Sequence, residues 1–153
     1  IVGSTRAAAS RGDAEWRDVL DQHDQLGWAI ADRVGGTIVK STGDGLLAYF
    51  DLPNHALDFA TSFRSALHDL GIDLRAGLHV GEIELRHNAD VTGIAVNLAA
   101  RVEQAATDGA IFVSSTVRDM MMGGSVPFTD RGEHELKGIE GTWRLYEFAG
   151  GDS

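Results

Sequence analysis

The chain has 153 residues, 43% hydrophobic and 24% charged; that is one domain with its own buried core, not a disordered, collagenous or coiled-coil chain. Thirteen basic against 23 acidic residues give a formal charge of −10, so no broad positive field exists to hold nucleic acid or an anionic membrane surface. No apolar run approaches the roughly 18 residues of a membrane span, and cysteine is absent, which excludes disulfides, thiolate metal sites and a cysteine nucleophile and fits a reducing, cytoplasmic setting.

Between 13 and 34, Trp16, Val19, Leu20, Leu26, Ile30 and Val34 recur at helical spacing, and Gly35 and Gly36 stop the helix. Residues 37–40 and 46–50 read as two strands of a hairpin with Asp44 at the tip of a glycine-bounded turn. Asp51 and Pro53 open a helix with Ala56, Ala60, Phe63, Leu67 and Leu70 on one face, closed by Gly71. A strand is expected over 72–80, another over 82–86, and a polar loop over 87–90. A helix follows over about 93–106, then a buried strand over 110–113 and a short helix capped by Ser115 and running through Met121. The tail from Val126 to Phe148 alternates in short strands around Gly132, Gly138 and Gly141. The pattern is one α/β domain over 1–153, whose hairpin keeps the sheet from being all parallel.

Several residues carry chemistry. Lys40 and Asp44 flank a turn whose glycines allow close approach of a ligand, and a carboxylate there suits Mg²⁺ when phosphates complete its shell; a plain Asp-Gly hairpin turn is the competing reading. Asn97 and Arg101 stand four apart on a helix and share a face, an amide and a guanidinium fork suited to a sugar and a phosphoryl group; a solvated polar face is the alternative. Val2, Gly3, Ser4 and Thr5 lead into a helix and offer amides and hydroxyls to phosphate oxygens; the same residues also make an ordinary helix cap. Of thirteen basic residues only Lys40 and Lys137 are lysines; a compositional bias towards arginine is one reading, and positions where a guanidinium would not serve are the other. No HExxH, GxSxG or Walker A pattern is present.

The order and spacing of these pieces resemble the class III nucleotidyl cyclase catalytic domain, the adenylyl and guanylyl cyclase family, in its mycobacterial-like homodimeric form. The carrying segments are IVGST at 1–5, VKSTGDGLLAYF at 39–50 and RAGLHVGEIE at 75–84, with DVTGIAVNLAARVE at 90–103 and DRGEHELKGIEGTWRLYEF at 130–148. The resemblance implies a ferredoxin-like α+β sandwich, with a βαββαβ core and extra C-terminal strands. It implies an adenylyl cyclase that converts ATP to cyclic AMP and pyrophosphate with two divalent ions, Mg²⁺ or Mn²⁺. It assigns metal binding to Asp44 and the backbone carbonyl of Ile1, with a first aspartate and a core strand expected upstream of Ile1. Triphosphate binding falls to Val2 through Thr5 and to Lys137. Asn97 and Arg101 orient the ribose and steady the transition state.

Lys40 and Asp90 match the pair that reads the purine. An ammonium donor and a carboxylate acceptor complement the N1 acceptor and N6 donor of adenine and mismatch guanine. The resemblance further implies sites shared between the two chains of a homodimer, a cytoplasmic domain that does not itself enter the membrane, and any membrane tether placed elsewhere in a longer parent. A non-catalytic, nucleotide-binding or regulatory module of the same fold is the other reading. A diguanylate cyclase would need a GGDEF-like hairpin, which Thr42-Gly43-Asp44-Gly45 is not.

Overall fold

A computed structural model of the chain describes residues 13–41, 46–85, 91–121 and 126–149. The elements run in the order α1 (Asp13–Val34), β1 (Thr37–Ser41), β2 (Leu46–Tyr49), α2 (Pro53–His68), β3 (Ala76–Leu78), β4 (Glu84–Leu85), β5 (Val91–Thr92), α3 (Ile94–Ala105), β6 (Ile111–Ser114), α4 (Ser115–Met120), β7 (Phe128–Glu135) and β8 (Thr142–Phe148). Among the described residues β1 and β2 form an antiparallel hairpin, β4 and β5 a second two-stranded ribbon, and the remaining strands a four-stranded sheet ordered β3-β6-β8-β7. In that sheet β3 runs parallel to β6, while β8 is antiparallel to both β6 and β7. This is the mixed α/β architecture that the alternation of helices and strands predicts.

The apolar run Ile111-Phe112-Val113 explains the layering. Every residue of β6 is buried, because helices cover both faces. Phe112 packs with Leu98 and Val102 of α3, Leu136 and Leu145 on one side. Ile111 and Val113 pack with Leu57 and Ala60 of α2, Leu78 of β3 and Val117 of α4 on the other. A third cluster joins Ile30 and Ala31 of α1, Ile38 of β1 and Phe59, Phe63 and Leu67 of α2. Full burial of a side chain such as Leu67, Leu98 or Ile111 contributes about 1.5–3 kcal/mol.

Helix α1 has the bounds its apolar spacing predicts. Helix α2 begins with Pro53, whose missing N–H costs nothing in the first turn. Three stretches differ from expectation. Of the strand expected over 72–80, only Ala76–Leu78 pairs; Ile72 and Leu74 are buried against Phe63 and Leu67 without a ladder partner among the described residues. Alternation there records burial, not pairing. The strand expected over 82–86 shortens to Glu84–Leu85 and pairs with Val91–Thr92, a strand that was not expected. The tail forms two long strands in place of several short ones. A bulge between Asp130 and Glu133 takes up Arg131 and Gly132, with Gly132 at φ 83°.

The exposed side of the β7–β8 pair carries ion pairs. Arg144 reaches Asp130 at 2.7 Å, and Arg131 reaches Glu147 at 2.7 Å. The N–H of Gly132 and then Arg144 hold the Asp130 carboxyl below the usual carboxylate range. Solvent screening makes such exposed pairs worth little individually.

Candidate active site

Helix α3 carries the best-placed candidates. Its rotation is set at Gly77 of β3, where a Cβ would fall into the backbone of Glu103 and lie 2.7 Å from the carbonyl oxygen of Ala99. The missing side chain therefore lets the helix backbone rest directly on the strand. Leu98 and Val102 then point into the core, and Ile94, Asn97, Arg101 and Gln104 follow one another along the outer side. Asn97 and Gln104 are exposed and Arg101 is half-buried. The start of α3 also depends on glycine: Gly93, its N-cap, has φ 135°, and its carbonyl accepts from the N–H groups of Val96 and Asn97.

The structure thus brings Asn97 and Arg101 onto one outward face, as their spacing predicts. It adds a partner that the sequence reading missed. Nη1 of Arg101 donates to Oε1 of Gln104 at 2.7 Å. The neighbouring acid, Glu103, lies instead beside Arg75, with Oε1 3.6 Å from Nε.

The other candidates are spread over the chain. Lys40 lies in β1, its Cα paired with that of Leu47, just past a bulge between Ile38 and Lys40. Lys137 lies exposed in the β7–β8 connection. It lines an open concavity of about 430 Å³ with Glu135, Leu136, Ile139, Gly141 and Thr142. Ile1, Val2, Gly3, Ser4, Thr5, Asp44 and Asp90 lie outside the described residues. Among the described residues no group of three or more His, Asp or Glu side chains is placed to hold a metal ion; Asp44 and Ile1, the expected metal residues, lie outside them.

His79, read as an ordinary strand residue, lies just beyond the end of β3 and makes a specific contact. Its Nδ1 is 2.7 Å from Oγ of Ser114. That hydroxyl also caps α4 by accepting from the N–H of Val117. The ring meets Trp143 edge-on, with centroids 5.9 Å apart. Burial lowers the imidazole pKa below its ordinary value, so the neutral ring is favoured in this position.

Comparison with known proteins identifies the family. Residues 1–150 match the family described as the adenylate and guanylate cyclase catalytic domain. A Rhizobium meliloti (strain 1021) protein named as adenylate cyclase 3 is 31% identical over 136 residues, covering 83% of this chain and 22% of the relative. An adenylate cyclase of Streptomyces coelicolor is 27% identical over 124 residues, covering 80% of this chain and 32% of the relative. The chain therefore spans about a fifth to a third of the length of these curated relatives. A crystal structure named as an adenylate/guanylate cyclase/hydrolase from Silicibacter pomeroyi superposes with a TM-score of 0.75 at 35% identity, covering 86% of this chain and 85% of the other. With its sheet order, its glycine-seated α3 and this match across nearly its whole length, the chain belongs to the adenylate and guanylate cyclase catalytic domain family.

Proposed function

We propose that the domain is an adenylyl cyclase, converting ATP to 3′,5′-cyclic AMP and pyrophosphate. The observation that carries this reading is the outward face of α3, where Asn97 and Arg101 stand together on a helix seated in the core. The choice of ATP over GTP rests on residue types, Lys40 and Asp90, whose donor and acceptor complement the adenine edge. In the reaction the ribose 3′-oxygen attacks the α-phosphorus, the bond to the leaving pyrophosphate breaks in line, and the 3′ proton passes to water or to a phosphate oxygen.

Arg101 faces the charge that accumulates on the α-phosphoryl oxygens, with a planar fork of donors suited to them. Asn97 hydrogen-bonds and orients the ribose. Lys137 and the amides and hydroxyls of Val2 through Thr5 hold the β- and γ-phosphates. Asp44 and the carbonyl of Ile1 would hold divalent ions, Mg²⁺ or Mn²⁺, which when bound supply Lewis-acid activation and charge neutralisation. The substrate residues divide between two chains of a homodimer, so each dimer has two sites.

The test incubates the full-length native protein with ATP or GTP and each metal. Cyclic AMP from ATP is expected, dependent on Mg²⁺ or Mn²⁺. No cyclic product from either nucleotide overturns the enzyme reading. Cyclic GMP from GTP alone retains a cyclase but overturns the adenine assignment.

A further inference from the structure

We propose that Gln104 is a positioning residue that holds the Arg101 guanidinium in its working orientation while leaving its positive charge undiminished. The inference rests on the cyclase reading and extends it to a residue outside the substrate set. Three observations carry it. Nη1 of Arg101 donates to Oε1 of Gln104 at 2.7 Å, one turn along α3. Among the described residues this is the hydrogen bond that the guanidinium makes. The acid nearest in sequence, Glu103, is turned away from that face to Arg75 on the β3 side of the helix.

The chemistry of the acceptor matters. A guanidinium has five N–H donors in a fixed fork, and one of them bound to a side-chain oxygen restricts rotation of the head group. A carboxylate in the same place would grip more strongly, but it would also set a negative charge against the guanidinium. An arginine meant to meet developing negative charge works best beside a neutral acceptor, because the stabilisation is electrostatic and preorganised. Along Arg101-Val102-Glu103-Gln104 the helix sorts the two acceptors accordingly. The charged one pairs with the structural Arg75, and the neutral amide holds the outward-facing Arg101.

Two substitutions test this. Gln104→Met keeps the length and removes the acceptor; Gln104→Glu keeps an acceptor and adds a negative charge. Gln104 is exposed on the outer side of α3, so thermal unfolding midpoints of both variants should stay within about 2 °C of wild type. Expected are a kcat loss of about threefold to tenfold for Gln104→Met and a larger loss, roughly tenfold to a hundredfold, for Gln104→Glu, with KM for ATP within about twofold in each. A pair that only stabilised the helix would move the midpoint and leave kcat alone. In parallel, ¹⁵N spectra resolve the guanidinium nitrogens of Arg101, whose Nη signals should average in Gln104→Met and remain distinct in wild type. Values of kcat within twofold of wild type in both variants overturn the proposal. So does a Gln104→Glu loss no greater than that of Gln104→Met. Inactive wild type, by contrast, overturns the cyclase reading itself.

Discussion

Arg101 and Asn97 are the side chains on which the reading can be broken most cleanly. Arg101→Ala removes the donor fork that we propose meets the reacting phosphoryl group, and should lower kcat by roughly 10²–10³-fold, the scale on which a single oxyanion donor acts. Steady-state kinetics with ATP check this; a change confined to KM would assign Arg101 to ground-state binding. For base choice, combining Lys40→Glu with Asp90→Cys should lower ATP turnover by up to roughly 10⁴-fold, since an unpaired polar edge is strongly rejected. ATP activity retained within a few-fold would show that these residues do not read the base. His79 makes a prediction about pH. Burial lowers its folded pKa below the unfolded value of 6.5. Its contribution to stability is therefore complete above about pH 6.5 and lost as pH falls through the folded pKa, because the unfolded chain takes up a proton that the buried ring resists. The gap in unfolding midpoint between wild type and His79→Asn should be wider at pH 7.5 than at pH 5.5. A gap that widens towards acid would mean that the charged ring is the one stabilised.

At the level of elements, Gly77 sets where α3 lies. Gly77→Ala places a methyl group against the backbone of Glu103 and Ala99, which no rotamer change can relieve. The helix must lift, and a loss of about 1–3 kcal/mol is expected from denaturant unfolding, together with lost cyclase activity as Asn97 and Arg101 move. Unchanged stability would show that the strand and helix can separate freely there. The same elements show what could be read in advance. Helix α1 and the shared face of Asn97 and Arg101 were legible because a 3.6-residue period fixes which residues align. β6 was legible as an uninterrupted apolar run. The shortness of β3 was not, since Ile72 and Leu74 alternate as a strand does but are buried by helices. Nor was the Arg101–Gln104 bond, because the helical period sets Gln104 beside Arg101 and Glu103 on another face without fixing the rotamer that the guanidinium adopts. The contact between His79 and Ser114 spans 35 residues and leaves no local trace. Asp44, Asp90 and the segment from Ile1 to Thr5 received their roles from the family resemblance and lie outside the described residues.

For the molecule as a whole, the proposed homodimer predicts complementation. Asp44→Ala and Arg101→Ala should each inactivate both sites of their own dimer. Co-expressed, they should form hybrid dimers in which one site collects both lesions and the other neither. Random pairing should restore about a quarter of wild-type activity. Verified hybrids as inactive as either parent would mean that both residues serve one chain's site. The position of β6 has a further consequence, in the exchange of backbone amides with deuterated water. Phe112 and Val113 lie on a strand paired on both sides and covered on both faces. Their amides can open only when the whole domain unfolds, so they should exchange last and report global stability. Helix α3 is bound to that slow-opening unit, whereas the β4–β5 ribbon that leads into it is held by two residue pairs. Nucleotide binding should therefore slow exchange chiefly in Glu84, Leu85, Val91 and Thr92 and leave the amides of α3 nearly unchanged, because the helix that presents Asn97 and Arg101 is already ordered before the nucleotide arrives.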